Sequence, residues 1–391
     1  MLARTDIIAT NPRNPDRCMK IRPFETEQFF ARYEFTTPYQ LCNSDCEPLS
    51  IAELLELANL PPDHLGRERL GYTEPRGRLA LRQAVAALHS RVTPDDVMLL
   101  GTPVEGIYLA ARALLDPGDE VVVLSPAYDA LVNLFEHVVG ADRVHRWRFR
   151  AERGSWSLPF AELERLVSPA TRLLVVNFPH NPTGFLPSPA LQRRIVDLVE
   201  QAGIWLFSDE MYHGLVHSDT PPIPSAADLT TRAVVLSGLS KTYGLPGLRC
   251  GWLLARDPAL RERLMNWKYY TSICPPAPTE VLGLAALQVA GAIRQRNIAR
   301  IEDNLETAEA FFERWPQRFD WRRPLAGSTA LVGFDVPSVS ELSRRLATEE
   351  GVLIQSAAML GGNDRQMRIG LGRDGFAPAL ARFEAWLRRG G

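Results

Sequence analysis

Short apolar runs alternate along the chain with longer stretches in which apolar residues recur every three to four positions. Residues 97–100, 120–124, 172–176, 204–208, 233–236 and 251–254 are brief and rich in Val, Leu and Ile, as strands buried on both faces are. Between them, residues 77–90, 105–115, 128–139, 189–202 and 258–269 carry the helical period, and Pro117-Gly118-Asp119 marks a turn into a strand. This alternation predicts an α/β fold with a mostly parallel, doubly wound sheet, because parallel neighbours need a crossover, usually a helix. After about residue 275 the pattern changes to one long helical stretch, about 278–314, and then to short strands and helices. A large domain is therefore expected at 48–275 and a smaller α+β domain at 276–391. Residues 1–47 are proline-rich and aromatic without a crossover unit, and read as an arm that packs on the small domain or on a neighbouring subunit.

Composition narrows the function. The 44 basic and 46 acidic residues leave a net charge of −2, which gives no electrostatic footprint for nucleic acid or an anionic membrane. No run of 18 apolar residues occurs, and residues 1–22 lack the apolar centre of a secretory leader, so a cytoplasmic protein is expected. Five cysteines without a CxxC pair suggest neither a disulfide framework nor a metal site.

Ligands of doubly wound sheets collect at the carboxyl ends of strands. Three predicted strands end in Asn177-Phe-Pro-His-Asn-Pro-Thr-Gly184, Ser208-Asp-Glu-Met-Tyr212 and Ser237-Gly-Leu-Ser-Lys-Thr-Tyr243. The lysine in the last is notable, because of the 44 basic residues only Lys20, Lys241 and Lys268 are lysines. A guanidinium stays protonated, whereas an ammonium can lose its proton and become a nucleophile. Lys241 is thus a candidate for amine chemistry.

Asn-Pro-Thr-Gly, Asp-Glu-x-Tyr and Ser-Lys-x-x-Gly-x-x-Gly-x-Arg, in that order and spacing, resemble the fold type I pyridoxal-phosphate enzymes, specifically the class I/II aminotransferase family. The resemblance covers nearly the whole chain and implies the cofactor pyridoxal 5′-phosphate. It makes Lys241 the residue that forms a Schiff base with the cofactor and later moves the substrate proton. Asp209 becomes the carboxylate that keeps the pyridine nitrogen protonated. Asn181 and Tyr212 become donors to the cofactor's phenolate oxygen, and Tyr128, in Ser-Pro-Ala-Tyr, stacks on its ring. Ser240, Arg249 and Ser237 match the phosphate ligands, joined by backbone N–H groups of Val104 and Glu105 at a helix start. That corner departs from the usual Gly-Ser-Ser-like cup, since this chain has Thr102-Pro103-Val104-Glu105.

Arg368, in Gln-Met-Arg-Ile-Gly-Leu-Gly, matches the arginine that grips the substrate α-carboxylate. Tyr72 matches a tyrosine that crosses a dimer interface to the neighbour's phosphate, and Thr271 and Ser272 hold a similar crossing position. The resemblance therefore implies a homodimer with shared active sites acting on an amino acid. An aminotransferase is the main expectation. The wording of the asparagine and lysine motifs is similar to capreomycidine-synthase-like members, which makes cyclisation, elimination, replacement or oxidation of an arginine-like amino acid the alternative. A final expectation concerns Leu41-Cys-Asn-Ser-Asp-Cys-Glu-Pro48, which aligns with a segment beside the substrate. Asp45 either faces a cationic substrate side chain there or, with Glu47, is solvated ahead of a helix capped by Ser50 and Glu53.

Overall fold

The computed structural model describes residues 21–217 and 220–391. Its central sheet has seven strands in the order Val97–Leu100, Gly251–Ala255, Ala233–Gly238, Trp205–Asp209, Thr171–Asn177, Glu120–Ser125 and Val144–Arg148. All run in one direction except Gly251–Ala255, which is antiparallel to both neighbours. The six strands read from the sequence are present. Val144–Arg148 is an addition at the edge, where only Val144 and Trp147 are buried, so it lacks the continuous apolar run of the inner strands.

Helices Pro103–Leu114, Ala130–Val139, Pro189–Ala202 and Pro258–Tyr269 lie where the period placed them. Pro189–Ala202 has Ser188 as N-cap, proline at its start and Gly203 in the left-handed region as its end, all legible signals. The expected single helix over 278–314 is instead two, Ala277–Gln288 and Ala290–Arg314. Val289 leaves helical geometry at φ −116°, ψ 21°. A β-branched residue followed closely by Gly291 weakens the helix there, while the apolar period continues and hides the break.

A second, antiparallel sheet contains Phe319–Asp320, Thr329–Phe334, Gln366–Gly370 and Gln355–Ser356, in that order. The N-terminal segment is woven into this part of the molecule. Tyr39–Gln40 pairs in parallel with Val352–Leu353, and the backbone then bonds from Gly370 N to Leu41 O at 2.7 Å and from Glu47 N to Gly372 O at 2.8 Å. A Cβ at Gly370 would sit 1.6 Å from Asn43 O, and one at Gly372 2.4 Å from Asp45 O. These glycines let residues 43–45 lie directly on the Arg368 strand. On the other side Gly244, at φ +62°, presses against Glu47 O, which brings the Lys241 turn to the same segment.

Before this segment, helix Glu25–Tyr33 buries Thr26, Phe29 and Tyr33. Phe29 and Tyr33 pack with Cys42 and Leu353, burial that contributes about 1.5–3 kcal/mol for a large apolar side chain. Thr26 ties the helix to the start of helix Ala130–Val139, just after the strand Glu120–Ser125, and to the second sheet: its N and Oγ1 donate to Asp129 at 3.2 and 2.8 Å, and its Oγ1 accepts from Gln355 Nε2 at 3.3 Å. The helix thus spans the opening between the carboxyl edge of the central sheet and the second sheet. Residues 1–20 of the expected arm lie outside the described residues. No helix among the described residues is long and apolar enough to cross a membrane.

Candidate active site

The sheet register sets Asn177 beside Asp209, and Asp209 beside Leu236 in the strand that leads to Lys241. Their ends open into a cavity of about 620 Å³, within the size range of small-molecule sites. Asn181, Asp209, Tyr212, Ser240, Lys241, Arg249, Val104, Tyr128, Arg368 and Asp45 all line it, although Asp45 and Arg368 lie at positions 45 and 368 of the chain. Glu105, Ser237 and Tyr72 do not.

Lys241 Nζ donates to Ser44 Oγ at 2.8 Å. Burial lowers the pKa of its ammonium, Asp45 opposes the shift and Arg368 reinforces it. Such surroundings favour the neutral, nucleophilic amine. Asp209 is buried, and its Oδ1 accepts from Met211 N at 3.1 Å. Burial pushes its carboxyl up to about 7, against the pull of the Met211 amide. A cationic nitrogen placed opposite would reverse that shift by stabilising the carboxylate. The neighbouring Glu210 is turned away, accepting from Ser208 Oγ at 2.9 Å and Ala226 N at 2.8 Å. Of the two adjacent acids, Asp209 alone lines the cavity.

Asn177 positions two of these groups. Its Nδ2 donates to Asp209 O at 2.9 Å and its Oδ1 accepts from Asn181 N at 2.8 Å. The Asn181 side-chain oxygen accepts from Arg368 at 3.3 Å, so its amide NH₂ is left as a donor. Tyr212 Oη is buried without a well-formed hydrogen bond, and burial raises the phenol's pKa, so it stays a donor. Arg368 is 1% exposed; its second terminal nitrogen donates to Cys42 O at 2.7 Å, its Nε has no partner, and its plane lies 5.8 Å from the Phe30 ring.

One corner suits an anion. Helix Pro103–Leu114 begins there, and its N-cap Thr102 makes no side-chain cap. The Thr102 hydroxyl instead accepts from Arg249, which reaches back from a left-handed residue after Pro246–Leu248. Ser240 Oγ is buried and unpartnered beside them. A free helix start, a guanidinium and a hydroxyl together favour phosphate.

The three remaining residues take other places. Glu105 N bonds back to Thr102 O at 3.1 Å, which corrects its expected role as a free backbone donor. Its carboxylate accepts from Gly101 N at 2.9 Å, Ser272 N at 3.2 Å and the Thr271 hydroxyl, bracing the loop instead. Ser237 Oγ donates to Glu210 O at 3.2 Å, away from the cavity. Tyr72 is 92% exposed and reaches no site within its own chain. Tyr128 stands in the cavity wall, held by a 2.7 Å bond from its hydroxyl to Glu27 and by Phe24 at a ring separation of 5.1 Å.

Asp45 lines the cavity and is 7% exposed, so it is not a solvated loop residue. Both its oxygens are taken by Arg373, at 3.1 and 2.8 Å, and the same guanidinium lies 3.9 Å from Glu47. That pairing corrects the expectation of a carboxylate free to meet a cation. The Ser50 and Glu53 capping box forms as read, at the start of Ile51–Leu57. Missed altogether were Glu27, Phe30 and Glu34, which line the cavity from the N-terminal helix and its cap. The apolar spacing of Thr26, Phe29, Phe30 and Tyr33 was the signal that could have revealed that helix.

Comparison with known proteins agrees with this geometry. Residues 41–374 match the family described as aminotransferase class I and II. Capreomycidine synthase from Streptomyces vinaceus is 35% identical over 324 residues, 81% of each chain. Valine–pyruvate aminotransferase from Mycobacterium tuberculosis is 32% identical over 228 residues, 56% of each chain. A solved pyridoxal-phosphate-dependent aminotransferase from Streptococcus suis superposes with a TM-score of 0.88 at 25% identity, covering 95% of this chain and 98% of the other. The chain therefore belongs to the class I and II aminotransferase family and is a pyridoxal-phosphate-dependent enzyme of the α/β fold type I.

Proposed function

We propose that the 620 Å³ cavity holds pyridoxal phosphate over Asp209 and that the enzyme transaminates an α-amino acid at that site. The observation that carries this reading is the convergence of Lys241, Asp209 and Arg368 on one cavity with an anion-binding corner. The donor set fits the cofactor. Tyr212 Oη, Ser240 Oγ and Arg368 Nε are buried polar atoms awaiting partners, an arrangement that costs stability unless a ligand satisfies them. Ser240, Arg249 and the helix start at Val104 would hold the phosphate, Asn181 and Tyr212 the phenolate oxygen, Asp209 the pyridine nitrogen and Tyr128 the ring face. Bound there, the cofactor supplies an electron-accepting ring that stabilises negative charge at the substrate Cα.

The chain's own groups do the rest. Lys241, whose ammonium burial makes easier to deprotonate, can as the free amine take a proton from Cα and return one. Arg368 presents its unpartnered Nε and, with the Asn181 amide, would orient the α-carboxylate so that the Cα–H faces Lys241. Thr26, Glu27 and Phe30 of helix Glu25–Tyr33 form part of the cavity wall and would limit water access on that side.

We infer a homodimer whose sites are completed across the interface. In support, Leu70 and Tyr72 are 82% and 92% exposed and Tyr270 is 81% exposed, large side chains that a monomer would leave in water. The division at residues 47/48 and 275/276 and a cytoplasmic location belong to the same proposal. A second reading, in which the enzyme catalyses cyclisation, elimination, replacement or oxidation of an arginine-like amino acid instead of transamination, is favoured by the 35% identity to capreomycidine synthase.

Incubating the holoenzyme with single amino acids separates the two. Transamination should convert the amino acid to its keto acid and leave an equal amount of the pyridoxamine form of the cofactor. Turnover of the amino acid with no pyridoxamine form would refute transamination and support the second reading.

A further inference from the structure

Glu34 stands where a carboxylate is unfavourable three times over. It caps the carboxyl end of helix Glu25–Tyr33, with helical dihedrals and its N–H bonded to Phe30 O at 2.8 Å, so the helix carbonyls present partial negative charge to it. Partial burial in the cavity wall takes water from it, and Asp45 and Glu27 stand within electrostatic reach, so its pKa is raised, by burial first and by Asp45 second, against a weaker opposing pull from Arg373 and Lys241. Among the described residues neither Glu34 nor Glu27 makes a close ion pair; Arg373 and Lys241 act on Glu34, and Lys241 on Glu27, only at longer range. Among the described residues, Glu27 accepts a hydrogen bond from the Tyr128 hydroxyl alone, at 2.7 Å.

The cations of the cavity are committed elsewhere. Arg373 is held by both oxygens of Asp45 with Glu47 alongside, and Arg249 is at the phosphate corner with Thr102. Lys241 bonds to Ser44. Arg368 bonds to Cys42 O and Asn181, and its 1%-exposed guanidinium keeps an unpartnered Nε, a buried polar group that points independently to a ligand in this same cavity.

The helix sets the spacing. Glu27, Phe30 and Glu34 are at i, i+3 and i+7 and share one face, and all three line the cavity. Phe30 lies against Arg368, its ring centroid 5.8 Å from the guanidinium carbon, and Glu34 follows Phe30 by four positions, one turn further on along the same cavity wall.

We propose that Glu34, with Glu27 at the mouth, forms the side-chain subsite of this cavity and selects α-amino acids whose side chains end in a guanidinium or ammonium group. This rests on the reading that Arg368 holds the α-carboxylate. A cation there satisfies a carboxylate that is otherwise unpaired, and its geometry suits paired charge-assisted hydrogen bonds. An acidic side chain meets two carboxylates, and Arg373 cannot receive it without giving up Asp45. An apolar side chain leaves Glu34 desolvated and alone.

The test is titration of the holoenzyme with L-arginine, L-norleucine and L-glutamate, followed by cofactor absorbance and by calorimetry. L-Arginine should bind at least about tenfold more tightly than L-norleucine, and L-glutamate most weakly. Glu34→Gln should cut the arginine-to-norleucine preference by about ten- to a hundredfold, the scale of losing hydrogen bonds to a charged group, and Glu34→Asp should restore part of it. An unchanged preference in Glu34→Gln overturns the proposal, as does a wild-type enzyme that binds norleucine as tightly as arginine, a result that needs no variant to fold. If none of the three amino acids binds, the underlying reading of the cavity fails and this subsite falls with it.

Discussion

Lys241→Arg should fold, bind little cofactor and show no visible absorbance from lysine-bound pyridoxal phosphate. Arginine is also long and can still donate to Ser44, the 2.8 Å partner of the native amine, so the local hydrogen bond can be kept. What it cannot do is lose a proton and attack a carbonyl, because its guanidinium remains charged throughout the working pH range. Turnover should fall by at least about a hundredfold, since both the covalent anchor and the group that moves the Cα proton are gone. Absorbance, circular dichroism and initial rates check the three parts separately. A variant that retained the visible band would show that another group holds the cofactor.

Asp209→Asn should separate binding from chemistry. The substitution preserves shape and leaves the phosphate corner at Ser240, Arg249 and Thr102 untouched, so cofactor should stay bound. The backbone oxygen of residue 209 still accepts from Asn177 and Phe178, which keeps the strand end in place. The neutral amide, however, cannot stabilise a protonated ring nitrogen. In the native protein burial raises Asp209 to about 7, so near neutral pH its charge depends on a cation opposite, and pairing with one draws the pKa back down. Without that pair turnover should drop about a hundred- to a thousandfold, the scale of removing one positioned electrostatic group from a catalytic site. Bound cofactor is counted by absorbance after denaturation, and turnover by keto-acid release.

The strands, most helices and the catalytic motifs were legible because local chemistry decides them. Buried parallel strands must be continuously apolar, and Ser188, Pro189 and Gly203 bracket a helix by satisfying or releasing its terminal backbone groups. Asn181, Asp209 and Lys241 could be read as one site because they follow strands whose order brings them side by side. What failed to show was decided across the fold. Val144–Arg148 is an edge strand with polar residues between its buried ones, so it resembles a loop. Asp45 looks available in sequence, and only the chain's return at Arg373 reveals its partner. Glu34 looks like an ordinary surface acid of a helix end until that helix is seen to lie across the cavity. Gly370 and Gly372 were read as part of an arginine motif, yet their physical role is to let residues 43–45 approach the strand.

The central claim is that Lys241 carries the cofactor, and borohydride reduction followed by peptide mapping tests it most directly. Reduction makes the lysine–cofactor bond permanent, and mass spectrometry then locates the added pyridoxyl phosphate. With only Lys20, Lys241 and Lys268 in the chain, the assignment is unambiguous. The adduct should appear on the peptide containing Lys241 and on neither of the others. Lys268 is buried and bonded to Ser272 Oγ at 3.0 Å and Ile273 O at 3.2 Å, outside the lining of the cavity. An adduct on Lys20 or Lys268, with Lys241 unmodified, would contradict the account.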